Sequence, residues 1–282
     1  MPLIASSAYL LVSHGSRDPR PQQSLDRLLN CLTAQANEPN ALLAHSLFAT
    51  GVLECADVPL QDRIVEVAEQ AQRLGLSSLT LVPLFLLPGV HVMEDIPSQV
   101  AAARDRLAAD CLASDRGSFS IAVLPHLGES EVLGQLVQSC VEGDPLRPAA
   151  QRILISHGSR RSGGNRPVEK LAQQMGAISA YWSVEPKITT VIQQVIQEFP
   201  SATSTSEPAS ETQHELELIP YFLFPGGITD AIATQVADCL QPFPHYTCHW
   251  HKTLDTHPHF AEAILKHIDL SLSRTNALQL TL

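Results

Sequence analysis

The sequence predicts an α/β protein of two similar domains, each a mostly parallel sheet with helices on both faces. Three motifs of the first half recur in the same order in the second half. Short apolar runs also alternate with amphipathic stretches along the whole chain. Such alternation of strand and helix is typical of parallel sheets, and 282 residues are enough for two domains.

The internal repeat rests on three pairs of matching segments. LLVSHGSRDPR (10–20) recurs as ILISHGSRR (153–161), VLECADVPLQDRI (52–64) recurs more weakly as SVEPKITTVI (183–192), and VPLFLLPG (82–89) recurs as IPYFLFPG (219–226). The spacing of the motifs differs between the copies, which places insertions in the loops between them.

The repeat predicts domains at 1–143 and 151–282, joined by the polar linker EGDPLRPAAQ at 142–151. One insertion is visible as PSATSTSEPASETQH at 200–214. Its Ser, Thr, Pro and Glu content predicts a mobile surface loop.

The strands are predicted from continuous apolar runs that are too short for helices, which is typical of strands buried on both faces. In chain order these runs are 9–13, 41–48, 78–87 and 119–125, then 153–156, 177–183, 216–224 and the more doubtful 245–251.

An amphipathic helix is predicted between the second and third strands, over PLQDRIVEVAEQAQRLG at 59–75. Its apolar positions follow helical spacing, and Gly75 is a plausible residue to end it. These positions are Ile64, Val67, Ala68, Ala71 and Leu74.

Composition excludes several classes of function. A formal charge of −11, from 18 basic and 29 acidic side chains, argues against nucleic-acid binding. The six cysteines form no C-x-x-C pair, so neither a zinc ribbon nor an ordinary iron–sulfur cluster is indicated. No apolar run is long enough to span a membrane, and reduced thiols fit a cytoplasmic protein.

His14 and His91 each follow an apolar strand, and Glu54 follows the second strand by a few residues. The carboxyl ends of parallel strands meet at one edge of the sheet, where ligand sites form. Two imidazoles and a carboxylate suit a borderline divalent metal such as Fe²⁺, Co²⁺, Ni²⁺ or Zn²⁺. Each residue alone also has an ordinary interpretation, as a turn histidine or as an acidic residue at a helix start.

The HGSRDP segment offers a second interpretation, because a Gly-Ser turn that opens onto a helix can present backbone N–H groups to an anion. It lacks the spacing of a dinucleotide-binding loop or a P-loop, and no nucleophile elbow surrounds its serines. Ser13, Ser16, Arg17 and Arg20 are therefore candidate substrate-binding residues, since guanidinium groups pair with carboxylates.

Five histidines crowd the C-terminal segment HYTCHWHKTLDTHPHF at 245–260. A histidine-dense tract can bind metal. Alternating histidines also fit a strand followed by a loop, and both interpretations stay open at this stage. The five are His245, His249, His251, His257 and His259.

LLVSHGSRDPR, followed about 70 residues later by PLFLLPGVHVMEDIP, resembles the class II tetrapyrrole chelatases. The similarity is to the sirohydrochlorin chelatases of siroheme and anaerobic cobalamin synthesis, in their long two-domain form. It implies two α/β domains that face across a cleft, and metal insertion into sirohydrochlorin without a prosthetic group.

The resemblance assigns His14, Glu54 and His91 as metal-binding and catalytic residues. The second half keeps His157 and a possible Glu185 but has Ile228 in place of the second histidine. The resemblance therefore implies one complete site, in the first half.

The expected reaction inserts a divalent metal, Fe²⁺ in preference, and releases two pyrrole protons. An imidazole has an ordinary pKa of about 6.5 and can accept a proton near neutral pH. Cobalt insertion is the alternative, and a non-catalytic metal or tetrapyrrole carrier is a second one. The expected partners are the tetrapyrrole and the metal ion, with no nucleic acid and no membrane.

Overall fold

The computed structural model describes residues 7–38, 43–112, 119–142, 150–198 and 214–279. The predicted loop at 200–213 and the linker residues 143–149 lie outside these ranges.

The first half alternates strands and helices as predicted. Its elements are β1 (Ala8–Ser13), α1 (Pro19–Ala36), β2 (Leu47–Val52), α2 (Leu60–Arg73), β3 (Ser78–Pro83), a π-helical turn (His91–Asp95), α3 (Ile96–Leu112), β4 (Ser120–Val123), a 3₁₀ turn (Leu127–Glu129) and α4 (Glu131–Glu142).

The second half repeats this order. Its elements are β5 (Gln151–Ser156), α5 (Arg166–Gln174), β6 (Ala177–Tyr181), α6 (Ile188–Glu198), β7 (His214–Pro220), α7 (Gly227–Leu240), β8 (Tyr246–Trp250), a 3₁₀ turn (Leu254–Thr256) and α8 (Phe260–Gln279).

Each half forms a parallel four-stranded sheet, and the two sheets have the same topology. The strand orders are β2-β1-β3-β4 and β6-β5-β7-β8, and every pairing is parallel. The predicted α/β fold class is confirmed. The central strands are buried along their length, as the apolar runs indicated.

The second strand differs from its prediction. The apolar run at 41–48 contributes only its last two residues, and β2 continues through Thr50 and Gly51 to Val52. His45 takes a positive φ of 62° in the turn that precedes the strand. The strand pairs with β1 from Leu47, which lies opposite Ala8, to Val52. Its Thr and Gly residues interrupt the apolar run, so the apolar pattern did not predict the full strand.

Helix α2 confirms the predicted amphipathic helix with one exception. Ile64, Val67, Ala68 and Ala71 are buried, but Leu74 is 61% exposed. Leu74 lies beyond the last helical residue, in the turn that leads to β3, and Gly75 follows it with φ +78°. This is the left-handed position at which glycine ends a helix.

The described residues group into two compact units that differ from the sequence halves. One unit contains Met1–Leu133 with Pro258–Leu282, and the other contains Gly134–His257. Helix α8 therefore belongs with the first sheet, where the His267 Nε2–H donates to the Pro125 carbonyl oxygen at 3.0 Å. Most of α4 belongs with the second sheet. The domain boundary predicted from the repeat describes the sequence halves and stays a prediction.

Candidate metal centre

The first ligand candidate, His14, follows β1 at the carboxyl edge of the first sheet. In the order β2-β1-β3-β4, β1 is the strand from which the chain winds in both directions. The carboxyl edge beside such a strand is where open α/β sheets bind ligands. His91 follows β3, the neighbour of β1, so the topology brings both histidines to this position.

Backbone contacts hold Glu54 beside His14. The Glu54 N–H donates to the His14 carbonyl oxygen at 2.8 Å. Gly15 has φ +90°, and a Cβ atom there would lie 1.9 Å from the Glu54 carbonyl oxygen. The two segments touch so closely that only glycine fits between them.

His91 lies in the π-helical turn that precedes α3. The Ile96 N–H donates to the His91 carbonyl oxygen, five residues back. Short π-helical turns are rare and occur frequently at functional sites.

Hydrogen bonds to the segment after β4 hold the loop between β3 and this turn. The Phe85 carbonyl oxygen accepts from the Gly128 N–H at 2.9 Å and from the buried His126 Nδ1–H at 3.1 Å. The Phe85 ring lies 6.1 Å from the His91 ring. The loop that carries His91 is therefore fixed by the 3₁₀ turn after β4.

Side-chain atoms of His14, Glu54 and His91 lie within 4.8 Å of one another. The rings of the two histidines are perpendicular, with centroids 4.6 Å apart, and His91 Nε2 lies 4.0 Å from Glu54 Oε1. His14 and Glu54 are exposed and His91 is half-buried. In the described part of the chain, no other three histidine, cysteine, aspartate or glutamate side chains lie close enough together to hold a metal ion.

Hydrogen bonds determine which nitrogen of each ring is free. His14 Nδ1 lies 3.0 Å from the Gly15 carbonyl oxygen, and His91 Nδ1 lies 2.6 Å from Asp95 Oδ2. A carbonyl or ionised carboxylate only accepts, so each Nδ1 carries the proton and each Nε2 keeps its lone pair. Two imidazole nitrogens and one carboxylate oxygen can then coordinate a borderline divalent metal and leave positions open.

The other predicted site residues have different surroundings. Ser13 is buried at the end of β1, and Ser16 Oγ accepts from the Asp18 N–H at 3.0 Å. Arg20 is bound to Asp18 at 2.5 Å, and this bond lowers the pKa of the Asp18 carboxyl to about 2. Within the described ranges the exposed Arg17 guanidinium has no hydrogen bond or ion pair.

The second half has the same backbone without the same ligands. His157 Nδ1 lies 3.0 Å from the Gly158 carbonyl oxygen, and the Ser183 N–H donates to the His157 carbonyl oxygen at 2.8 Å. Ser183, rather than Glu185, therefore occupies the position of Glu54. The Glu185 carboxylate instead accepts from the Lys187 N–H at 2.9 Å. The motif match that paired Glu185 with Glu54 was out of register by two residues.

Ile228 occupies the position of His91, as the motif comparison predicted. The N–H two residues after it, in Asp230, donates to the Gly226 carbonyl oxygen at 3.1 Å. Met93 makes the same bond to Gly89 at the same distance. Ile228 is 39% exposed, so an apolar side chain lies where the first half has the ligand candidate His91.

The C-terminal histidines are dispersed, and they form no three-ligand cluster in the described ranges. His245 packs against His214 and Tyr246. The His251 ring lies beside that of His249 and also pairs with Glu217. His257 lies near Ser139, and His259 pairs with Glu262. Their alternation follows strand β8 and the loop after it.

Asp95 was missed by the sequence analysis. The sequence contains a sign of it, because the segment HVMEDI in the first half is one residue longer than the matching segment ITDAI in the second.

No helix in the described ranges is both long and apolar enough to cross a membrane.

Comparisons with known proteins find relatives across both halves of the chain. The model of the CbiX family matches residues 8–143 and 151–270. A sirohydrochlorin ferrochelatase of Bacillus subtilis is 24% identical over 264 residues, which are 93% of this chain and 90% of that protein. A sirohydrochlorin cobaltochelatase of Methanopyrus kandleri is 27% identical over 93 residues, which are 33% of this chain and 57% of that protein.

Solved structures show the same fold. The structure of SirB from Bacillus subtilis with Fe³⁺ has a TM-score of 0.71 and 20% identity, and the match covers 96% of this chain and 98% of that one.

Proposed function

The chain belongs to the CbiX family, and from this premise we infer that it is a sirohydrochlorin chelatase. The enzyme is a lyase that inserts a divalent metal into sirohydrochlorin and releases two protons. Relatives that carry this activity in their names match over 93% and over 33% of this chain.

The observation that carries the proposal is the convergence of His14, Glu54 and His91. Three ligands with open positions can hold a metal substrate and still release it to the four ring nitrogens. A closed four-ligand site would retain the metal, as structural zinc sites do. All three side chains lie at the surface or half-buried, where a flat macrocycle can approach them.

The same residues supply bases for the protons. As the metal enters the ring, the pyrrole N–H groups lose their protons, and a neutral imidazole Nε2 that is no longer bound to the metal can accept one. Both rings keep Nε2 available for this step, since their Nδ1 atoms are already bonded. No prosthetic group is needed for these steps.

Sirohydrochlorin carries several carboxylates, so an acidic protein needs local cations to bind it. The Arg17 guanidinium is the best candidate beside the ligands, because it is exposed and without a partner in the described ranges. Arg20 is committed to Asp18 and would have to exchange that partner. Ser16 shares the loop with Arg17 and can donate its hydroxyl proton to a carboxylate.

We propose Fe²⁺ as the metal, because the relative that matches along 93% of this chain is a ferrochelatase. Cobalt is the alternative. Iron and cobalt prefer overlapping ligand sets, so the ligands do not discriminate strongly between them.

A spectrophotometric assay with purified protein, sirohydrochlorin and either Fe²⁺ or Co²⁺ tests the proposal. We expect a metal-dependent spectral change well above the uncatalysed rate. His14→Ala should lower this rate at least about 100-fold. His157→Ala is the matched control, because it removes the same side chain from the same place in the other half, and it should retain the rate.

A rate no higher than the uncatalysed one with both metals would contradict the proposal. Tight metal binding without turnover would instead favour a carrier.

A further inference from the structure

The strand–helix connection after β3 contains one more residue than the corresponding connection after β7. The two connections match up to Met93 and Asp230, which make the same backbone bond. They match again at Ile96 and Ile232, the first core residues of α3 and α7. Between these points the first half has two residues, Glu94 and Asp95, and the second half has only Ala231.

The helices that follow keep their core positions despite the extra residue. Ile96 and Val100 are 0% and 2% exposed, and Ile232 and Val236 are 2% and 1% exposed. The extra residue is accommodated in the π-helical turn, where the Ile96 N–H reaches five residues back to His91. A one-residue insertion within a helix produces this kind of turn.

The insertion changes which residue lies four positions after the ligand. In the second half, the residue four after Ile228 is Ile232, which belongs to the core. In the first half, the residue four after His91 is Asp95, and Ile96 takes the core position instead. The π-helical turn therefore makes room for a carboxylate under the histidine without removing an apolar side chain from the core.

Asp95 uses this position to hold His91. Its Oδ2 lies 2.6 Å from His91 Nδ1, so Nδ1 carries the proton and Nε2 keeps the lone pair that faces Glu54. His14 obtains the same tautomer from a backbone carbonyl. Carboxylates that accept from metal-binding histidines fix ring orientation and raise ligand basicity.

We propose that Asp95 is the positioning residue for His91 and that the inserted π-helical turn is the feature that brings it there. This inference deepens the proposed function and rests on it for its effect on rate. The tautomer of His91 does not depend on any substrate, so it can be tested separately.

The test compares Asp95→Ala, Asp95→Asn and wild type. Asp95→Ala should lower kcat/KM for the metal by about 10- to 100-fold. Asp95→Asn keeps an oxygen that accepts from Nδ1, so it should recover at least about half of that loss on a logarithmic scale. Asp230→Ala is the matched control, since it removes a carboxylate from the first turn of α7 in the half without the second histidine.

Nitrogen-15 NMR at pH 8 reads the tautomer directly, with the His91 signals assigned by their loss in His91→Ala. We expect protonated Nδ1 and bare Nε2 in wild type and in Asp95→Asn, and the reverse or a mixture in Asp95→Ala. A merely structural role for Asp95 would not move these signals.

Three results would overturn the proposal: protonated Nε2 on His91 in wild type, an unchanged tautomer in Asp95→Ala, or an active enzyme whose rate Asp95→Ala leaves within twofold. A wild-type enzyme that is inactive with sirohydrochlorin would contradict the proposed function alone. The NMR result would then still decide the role of Asp95.

Discussion

The two halves of the chain hold a histidine at the same point of the same fold, and only the first half places a second histidine and a carboxylate beside it. His14 and His157 make the same bond to the next carbonyl oxygen. Both are followed by a glycine of positive φ, Gly15 and Gly158. The features that the halves share are those that the backbone needs. Those that differ are the side chains proposed to bind the metal.

The second half has a buried cluster of charged side chains within its sheet. Glu217 on β7 is 2% exposed and is bound by Arg152 and His251, each at 2.8 Å. By strand register, the first half has Tyr9 and Thr80 in the places of Arg152 and Glu217. In the first half, by contrast, the acidic residue beside His14 is Glu54, beyond the strand end and exposed. The buried ion pair of the second sheet contributes to stability, and the group around Glu54 in the first half is the proposed metal site.

The largest effect is expected when Glu54 in the first half is replaced by serine, the residue at the equivalent position in the second half. Glu54→Ser installs the side chain found at Ser183 and removes a ligand while leaving the backbone bond to His14 intact. We expect loss of chelatase rate by at least about 100-fold. Titration with Co²⁺, followed by its visible absorption, should show weaker binding in parallel.

Glu185→Gln is the control for Glu54→Ser and also tests the corrected register. Glu185 lies two residues beyond the position of Glu54, and its contact is local. Its substitution should therefore leave the rate within about twofold of wild type. A large loss of rate would show that the second half uses an acidic residue after all.

Smaller effects are expected from the two glycines. In Gly15→Ala the new Cβ would meet the Glu54 carbonyl oxygen at 1.9 Å, so the ligand must move, and we expect a rate loss of about 10- to 100-fold. In Gly158→Ala the nearest atom is Val184 Cγ2 at 2.6 Å. That variant should lose about 1–2 kcal/mol of stability but keep its rate.

Urea denaturation separates stability from activity in both glycine variants. If Gly158→Ala lost rate as severely as Gly15→Ala at equal stability, the second half would have to contribute to the chemistry.

The fold was predictable because the apolar runs of the strands, the helical spacing of apolar residues and the internal sequence repeat all indicated the same architecture. Buried parallel strands appear as apolar runs, and these located the strands apart from β2, whose Thr50 and Gly51 interrupt the pattern. The proximity of His14 and His91 was also predictable, because parallel topology brings consecutive strand ends to one edge. The roles of these residues as ligands stay a prediction.

What escaped prediction depends on backbone geometry that a residue pattern does not contain. The equivalence of Ser183 with Glu54 follows from a single backbone hydrogen bond. The role of Asp95 follows from a π-helical turn, and sequence periodicity assumes regular helices. The ion pair between Arg20 and Asp18 was also not predicted, and the role of Arg20 in substrate binding stays a prediction.

The smallest effect on activity, and a clear effect on stability, is expected from Glu217→Gln. Burial opposes ionisation of Glu217, but hydrogen bonds from Arg152 and His251 outweigh it and lower the pKa of the carboxyl. Loss of one member of a buried ion pair should destabilise the second unit by about 3 kcal/mol at pH 7. Both tryptophans, Trp182 and Trp250, lie in this unit, so their fluorescence during urea unfolding reports it selectively.

The pH dependence of stability is expected to differ between the two units, which distinguishes the effect of Glu217→Gln. A carboxyl with a lowered pKa stabilises above its ordinary value of 4.5 and loses this effect as pH falls through its folded pKa. The difference between wild type and Glu217→Gln should therefore persist from pH 7 to 5 and shrink below 4.5. In the first unit, burial lowers the pKa of His126 and His267. That unit should lose stability as soon as pH falls below about 6.5, which would appear as an earlier transition in circular dichroism than in tryptophan fluorescence. A Glu217→Gln difference that disappears between pH 7 and 5 would contradict the assignment of the stabilising charge to Glu217.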